Sequence, residues 1–459
     1  MRRAYPIALA TAAVTAFVLA GWWLAMISTA TPASAASLCT SGYASIQPAI
    51  DAAGEGDTAK IAYGTYYENL DVTKDITLQG GWSAKCTTRL YTDPQHTVID
   101  GSAADHVVEI TGGSMATLDA LTLTNGQSDK GGGVYVSGSS LTLNNVVVTA
   151  NVVTPTTGWS YGAGVYVYNG TVTLMGCEIS HNTGEGSEGC GGGGLAVAGW
   201  GTGTVIEATQ IMSNSPSGSG QLHGGGMWLD PGTEVTFEGT ENLIAYNEAT
   251  YAGGVYMWGN TDLQGVVLLG NHASHTGGGI VVSSYYSGGK IANNYLLYNK
   301  ADVDAASLLT LDLDMEIANN TIVGDFYGSG AGVHVYPGGS GALELTNNIV
   351  VNHTVGIEKG SAASVTLVNN DVWGNTTNYV GLSPGSGDIS ADPEFVDPDN
   401  DDYHLVADSP CVNAGEYIDW LFFDYDGDRR TGRLLDIGAD EYGSDQLSFV
   451  PAALKRYTP

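Results

Sequence analysis

The chain predicts an all-β fold: a right-handed parallel β-helix solenoid with an N-terminal cap and a small C-terminal domain. Three observations in the 459 residues carry this expectation. A Gly-Gly-Gly or Gly-Ala-Gly step recurs before an alternating apolar run. A short apolar piece ending in Asn closes each unit. Between them lies a second alternating strand, so each period of roughly 24 to 32 residues holds three short strands, inside the solenoid range of about 20–50.

The glycine steps read Gly131-Gly-Gly-Val-Tyr-Val136, Gly162-Ala-Gly-Val-Tyr-Val167, Gly192-Gly-Gly-Leu-Ala-Val197 and Gly224-Gly-Gly-Met-Trp-Leu229. They continue as Ala252-Gly-Gly-Val-Tyr-Met257, Gly277-Gly-Gly-Ile-Val-Val282 and Gly330-Ala-Gly-Val-His-Val335. Glycine there permits a positive φ and a close backbone approach. The closing residues are Asn182, Asn214, Asn247, Asn271, Asn299, Asn352 and Asn375. Asn adopts the left-handed conformation readily, and its amide can bond to its counterpart one coil away. Both residue types are read as structural. Ala305–Asp325 is a degenerate coil without glycines. A leucine-rich repeat lacks its Leu-x-x-Leu-x-Leu pattern here, and a propeller needs four strands in a longer period.

The organisation along the chain follows. Residues 1–35 read as a signal peptide: Arg2 and Arg3, an apolar run from Ile7 to Ile27, then Ala33-Ser34-Ala35. Cleavage near Ala35 is expected, an uncleaved N-terminal anchor being the alternative. Residues 36–110 form the cap and first coils, 111–380 the repeats, 381–443 a C-terminal domain and 444–459 a tail with a possible sorting signal. Ser45–Ala53 has the apolar spacing of a short amphipathic helix over the open end of the solenoid. After export five cysteines remain, and an oxidising compartment permits disulfides. Cys39 with Cys86, and Cys177 with Cys190, are the pairings considered; spacing does not decide connectivity.

With 15 Lys+Arg against 48 Asp+Glu, the formal charge is −33. Nucleic acid and anionic membranes are poor partners for such a surface, because both are recognised through Lys and Arg. A monomer is expected, touching a membrane only through its N-terminal segment or an anchoring tail.

The Gly-Gly-[AG]-[VIL] step paired with x-x-Asn resembles the repeats of polymorphic outer-membrane proteins and, more broadly, the pectate-lyase-like β-helix superfamily, over roughly Gly131–Asn375. The opening segment Ser45-Ile-Gln-Pro-Ala-Ile-Asp-Ala-Ala53 is similar to the start of many exported members. Asp392-Pro-Glu-Phe-Val-Asp397, Ser409-Pro-Cys-Val-Asn-Ala-Gly415, Asp424-Tyr-Asp-Gly-Asp-Arg-Arg430 and Asp436-Ile-Gly-Ala-Asp-Glu-Tyr442 resemble a choice-of-anchor Q domain, which trails such β-helices and precedes a surface-attachment signal.

The resemblance implies either polysaccharide-degrading enzymes or adhesins. Its lyases use an Arg or Lys base with calcium on carboxylates. Here no Arg lies between Arg89 and Arg429, and only Lys130, Lys290, Lys300 and Lys359 serve the repeats or their edge. A base within reach of the reacting proton is a requirement of that chemistry. The Gly-His-Gly and Arg-Ile-Lys motifs of the hydrolases are missing. Asp312 and Asp314 would share a face about 7 Å apart if extended, a separation compatible with an inverting glycosidase. They are the weak catalytic candidates; an acidic loop is the plainer account. Asp424, Asp426 and Asp428 alternate and could bind calcium, although Leu435 stands where an EF-hand needs Glu. A turn in which Asp bonds its own backbone explains them as well. No cofactor other than calcium is suggested.

Alternation in the first strand of each coil points Val134, Val165, Leu195, Met227, Val255, Ile280 and Val333 inward. Tyr135, Tyr166, Trp228, Tyr256 and His334 then point outward, with Tyr168, Trp258 and Tyr336 two residues further along. Coils stack about 4.8 Å apart, so these rings would make an exposed stripe suited to sugar faces. The expected function is an exported or cell-surface, adhesin-like protein, non-catalytic, that binds extracellular polysaccharide or another cell-surface component. The alternative is a lyase or glycoside hydrolase of the pectate-lyase-like class.

Overall fold

A computed structural model describes residues 36–443, apart from 156–157, 187, 200–202, 218–219, 259–260, 284–287, 311–313, 326–329, 337–341, 361–363 and 431–433. The signal segment 1–35 and the tail 444–459 lie outside the described residues.

Each coil contributes one strand to each of three walls, and every pairing along the walls is parallel. The first wall has twelve strands, from Leu70–Val72 to Thr377–Val380. The second has eight, from Ser37–Cys39 to Glu234–Glu238, and continues as five more, from Leu263–Gln264 to Ser364–Val368. The third again has twelve, from Gly64–Tyr67 to Asp371–Trp373. Period-2 alternation puts one set of side chains inside. Val134, Val165, Leu195, Met227, Val255, Ile280 and Val333 all sit in the central core, as their spacing predicted. The degenerate coil is an ordinary one, Leu308–Thr310, Met315–Ala318 and Thr321–Val323, with Ala305-Ala306-Ser307 standing in for the glycines.

The glycine steps do two different things. The first residue holds a positive φ, as at Gly162 (57°) and Gly192 (70°). The third is a matter of space: a Cβ on Gly164 would lie 2.6 Å from the Gly194 carbonyl and 2.8 Å from the Asn182 amide nitrogen.

That amide belongs to a ladder. Asn151, Asn182, Asn214, Asn247, Asn271 and Asn299 stack, each Nδ2 donating to the next Oδ1 at 2.9–3.0 Å. These Asn residues are not the left-handed ones. The positive φ belongs to the residue before, as at Ala150, His181, Ser213 and Tyr246, which frees the buried amide to bond along the stack. Asn352 is therefore displaced from its expected role. It holds the left-handed turn (φ 65°), and His353 takes the ladder register, its N–H donating to Asn375 Oδ1 at 2.9 Å. A second ladder, Asn294–Asn320–Asn348–Asn370, ends on Asp388.

The N-terminal end is closed by the helix Ile46–Ala52, whose Ile46, Ala49 and Ile50 are buried on the first coil. Its orphan N-terminal amides donate to the Glu68 carboxylate at 2.8–3.0 Å. Cys39 and Cys86 form a disulfide beside it. Cys177 and Cys190 do not pair: Cys177 faces the central core, whereas Cys190 packs in a separate cluster with Val153, Ala163, Leu222 and Ala249.

The C-terminal segment turns back along the outside of the third wall. Tyr403, Leu405, Cys411, Tyr425, Ile437 and Ala439 pack against Leu243, Leu269, Leu297, Val323 and Val351, and Tyr425 reaches the Thr240 carbonyl.

Candidate functional site

The outward row of the first wall runs in register through Tyr135, Tyr166, Ala196, Trp228, Tyr256, Val281, Leu309, His334 and Glu358. The stripe thus exists as a register, but it is not an open platform. Tyr166, Trp228, Tyr256 and His334 are buried and Tyr135 is half-buried. Of the eight candidates, Tyr168, Trp258 and Tyr336 are exposed, at 42%, 41% and 47%.

The cover is a flanking sheet of six short strands, from Trp159–Tyr161 to Lys300–Ala301, made by the connections between the third wall and the next glycine step. Its strands alternate too. Cys190, Leu222 and Ala249 pack into a small cluster of their own, while Tyr161, His223 and Tyr251 turn toward the first wall. Tyr161 stacks on Tyr166 (5.5 Å between centroids) and sits 5.0 Å from Trp228; His223 stacks on Tyr256 at 4.3 Å. The signal in the sequence was the alternation of Trp159-Ser-Tyr161 and Gln221-Leu-His223, three residues long and set among Gly and Ser.

Between the flanking sheet and the first wall a cleft of about 450 Å³ remains. His223, Tyr251 and His275 line one side and Tyr256, Leu309 and Tyr336 the other, with Gln221, Thr276 and Asp304 as polar groups. Burial pulls the His223 imidazole down to about 4, so it is neutral at neutral pH. At the cleft Asp304 accepts from His334 Nδ1 at 2.8 Å through both oxygens. Burial disfavours the charged imidazole of His334, but the Asp304 hydrogen bond and the charges of Asp304 and Glu358 outweigh it and raise its pKa. Asp304, His334 and Glu358 bring their ligand atoms within 4.8 Å of one another. Neither His223 nor Asp304 was singled out from the sequence as a site residue; each sits in a segment whose partner strand is a full coil away.

The acidic candidates separate. Asp312 lies outside the described residues. Asp314 is exposed and accepts from the Ala342 N–H at 3.0 Å. Asp424, Asp426 and Asp428 do not converge on one cation site. Asp424 closes a turn, taking the Asp428 N–H at 2.8 Å and the Glu441 N–H at 3.1 Å. Asp426 instead meets His404 Nε2 at 2.8 Å, and His404, Asp426 and Asp440 are the second group among the described residues with ligand atoms within 4.8 Å.

A three-walled parallel solenoid with an aromatic cleft on one wall is what this chain builds. It belongs to the right-handed β-helix family: the model of the right handed beta helix region matches residues 106–241 and 195–372, together more than half of the chain. No curated protein matches it. Among solved structures it is similar to the pectate lyase Pel9A, at 15% identity and a TM-score of 0.43, over 89% of this chain and 97% of that one. It is also similar to a mannuronic acid specific polysaccharide family 6 lyase enzyme from human gut microbiota, at 12% and 0.35, over 78% and 92%. A third is PfbA, a surface adhesin of Streptococcus pneumoniae, at 11% and 0.29, over 75% and 91%. Two lyases and an adhesin do not choose between catalysis and binding.

Proposed function

We propose that this is an exported, non-catalytic β-helix that binds a polysaccharide chain along the cleft beside the first wall. The cleft carries the reading. It offers rings on both sides, the exposed Tyr336 among them, with a few convergent polar groups, the make-up of a pre-formed ligand site, and the exposed Tyr168 and Trp258 lie against Tyr166 and Trp228 on other coils of the same wall. Sugar faces stack on such rings while their hydroxyls reach the polar groups. The disulfide at the cap supports export, since such bonds persist in oxidising compartments. Attachment to a cell surface through the C-terminal region rests on the sequence resemblance alone. Two of the repeat lysines are committed elsewhere: Lys290 lies 3.9 Å over the Trp420 ring and Lys300 pairs with Asp325.

The lyase or hydrolase reading draws on one observation, the Asp304–His334 pair beside the Tyr336 ring. Affinity electrophoresis through acidic and neutral polysaccharides, with and without calcium, tests the first reading. At least one glycan should retard the protein, and Trp258→Ala and Tyr336→Ala should each weaken retention about fivefold, with melting temperature unchanged because both rings are exposed. Retention that survives both substitutions removes the stripe from the site. Unsaturated products or new reducing ends in the same panel would establish the enzyme instead.

A further inference from the structure

His404, Asp426 and Asp440 lie in the C-terminal segment where it meets the third wall. The arrangement around them is that of a metal site with its outer support in place. His404 Nδ1 is 2.5 Å from the Asp402 carboxylate, while Nε2 faces Asp426 Oδ2 at 2.8 Å. Metal-bound imidazoles are held in this manner, one nitrogen to a carboxylate and the other to the ion. Asp440 is fixed by the Leu405 N–H at 2.9 Å, which spends one oxygen and leaves the other.

Two further atoms stand out. Asp426 Oδ1 and Tyr295 Oη are buried with no hydrogen-bond partner among the described residues. Tyr295 comes from the solenoid side and is 6% exposed, and the carboxylates that act on its phenol are Asp440, Asp426 and Asp424. Unpartnered buried polar atoms are costly and call for an unseen partner. The charge balance points the same way. Asp402, Asp424, Asp426, Asp436, Asp440 and Glu441 crowd this junction against His404 and Arg430; Asp424, Asp436 and Asp440 are buried and the other three half-buried. Buried carboxylates in such excess need a counter-cation.

We propose that His404, Asp426 and Asp440 bind a divalent transition-metal ion of the zinc or manganese class that clamps the C-terminal segment onto the solenoid. Imidazole with two carboxylates is a donor set for these ions rather than for calcium, which takes oxygen ligands throughout. Tetrahedral zinc with bonds of about 2.1 Å spaces its donors about 3.4 Å apart, so ligand atoms within 4.8 Å need only a small closure. The ion replaces the Nε2 proton that now joins His404 to Asp426. The inference is independent of the glycan reading.

The test is calorimetric titration of the chelator-stripped full chain with Zn²⁺ and Mn²⁺, in a His334→Ala background that silences the cleft group. One ion per chain should bind and raise the melting temperature by several degrees. Asp440→Asn should lower affinity at least a hundredfold, with the β-sheet circular dichroism retained. Asp402→Asn, which keeps all three ligands, should lower it about ten- to a hundredfold. Absence of one-to-one binding in the His334→Ala chain overturns the proposal, whatever the variants do. So does binding that Asp440→Asn leaves unchanged, which marks the uptake as adventitious.

Discussion

The two halves of the third wall share one backbone and meet opposite environments. A single outward row runs in register through Thr124, Thr149, Ser180, Met212, Ala245, Leu269, Leu297, Val323 and Val351. Up to Ser180 it is polar and its strands alternate, as in Thr122-Leu-Thr124 and Glu178-Ile-Ser180. From Leu243 onward most of the strands are apolar throughout, as in Leu243-Ile-Ala245, Val267-Leu-Leu269 and Ile349-Val-Val351, with Thr321 and Asp371 opening the two exceptions. Strands buried on one face alternate and strands buried on both faces do not. The change marks where the C-terminal segment begins to cover the wall. The lesson is that outward residues in a solenoid report what lies over each coil, while inward ones report only the shared core.

The largest effect should come from removing the cover. A chain ending at 391 keeps the terminal coil and the Asp388 ladder end but bares the apolar half of the row. It should self-associate, seen as higher oligomers or aggregates by size-exclusion chromatography with light scattering. A monodisperse monomer would mean the cover is dispensable. Next, Leu297→Asp places an unpaired charge under the segment and should cost about 4 kcal/mol in denaturant unfolding, with early proteolysis of the C-terminal region.

The ladders offer a pH-dependent contrast. The Asn ladder of the early coils does not titrate, whereas His353 stands in that register in the late ones. It is buried, and burial pulls its pKa down to about 4, although bonds to Val351 and Asn375 oppose this. The folded chain therefore resists a proton that the unfolded chain takes up near the ordinary value of 6.5. The stability it preserves is complete above about pH 6.5 and declines as the pH falls toward 4, by about 3 kcal/mol in all. His353→Asn should flatten that part of the stability profile; an unchanged slope would place its origin elsewhere. The smallest effect is expected at Thr149→Asp, in the same row as Leu297 but uncovered, where the change should stay within about 0.5 kcal/mol.

The aromatic row divides along the same lines. That Tyr166, Trp228 and Tyr256 face away from the core was legible from alternation alone, and the register pairs confirm it. That they are buried was not, because the flanking strands that cover them are two to five residues long and pair only with their counterparts one coil away. The cleft is what those strands leave open. His404 and Asp426 were equally hidden as partners: 22 residues apart, they meet only because the segment folds back on itself.

The sequence by itself determined the coil: positive-φ glycines, a ladder amide with no room for a Cβ beside it, and an alternating apolar face. Each is a local requirement that repeats, so a single chain displays it many times over. What covers the outer faces was decided by tertiary structure alone. A strand's outward side chains are compatible with solvent, a flanking sheet or a returning segment, and only the path of distant chain selects among them.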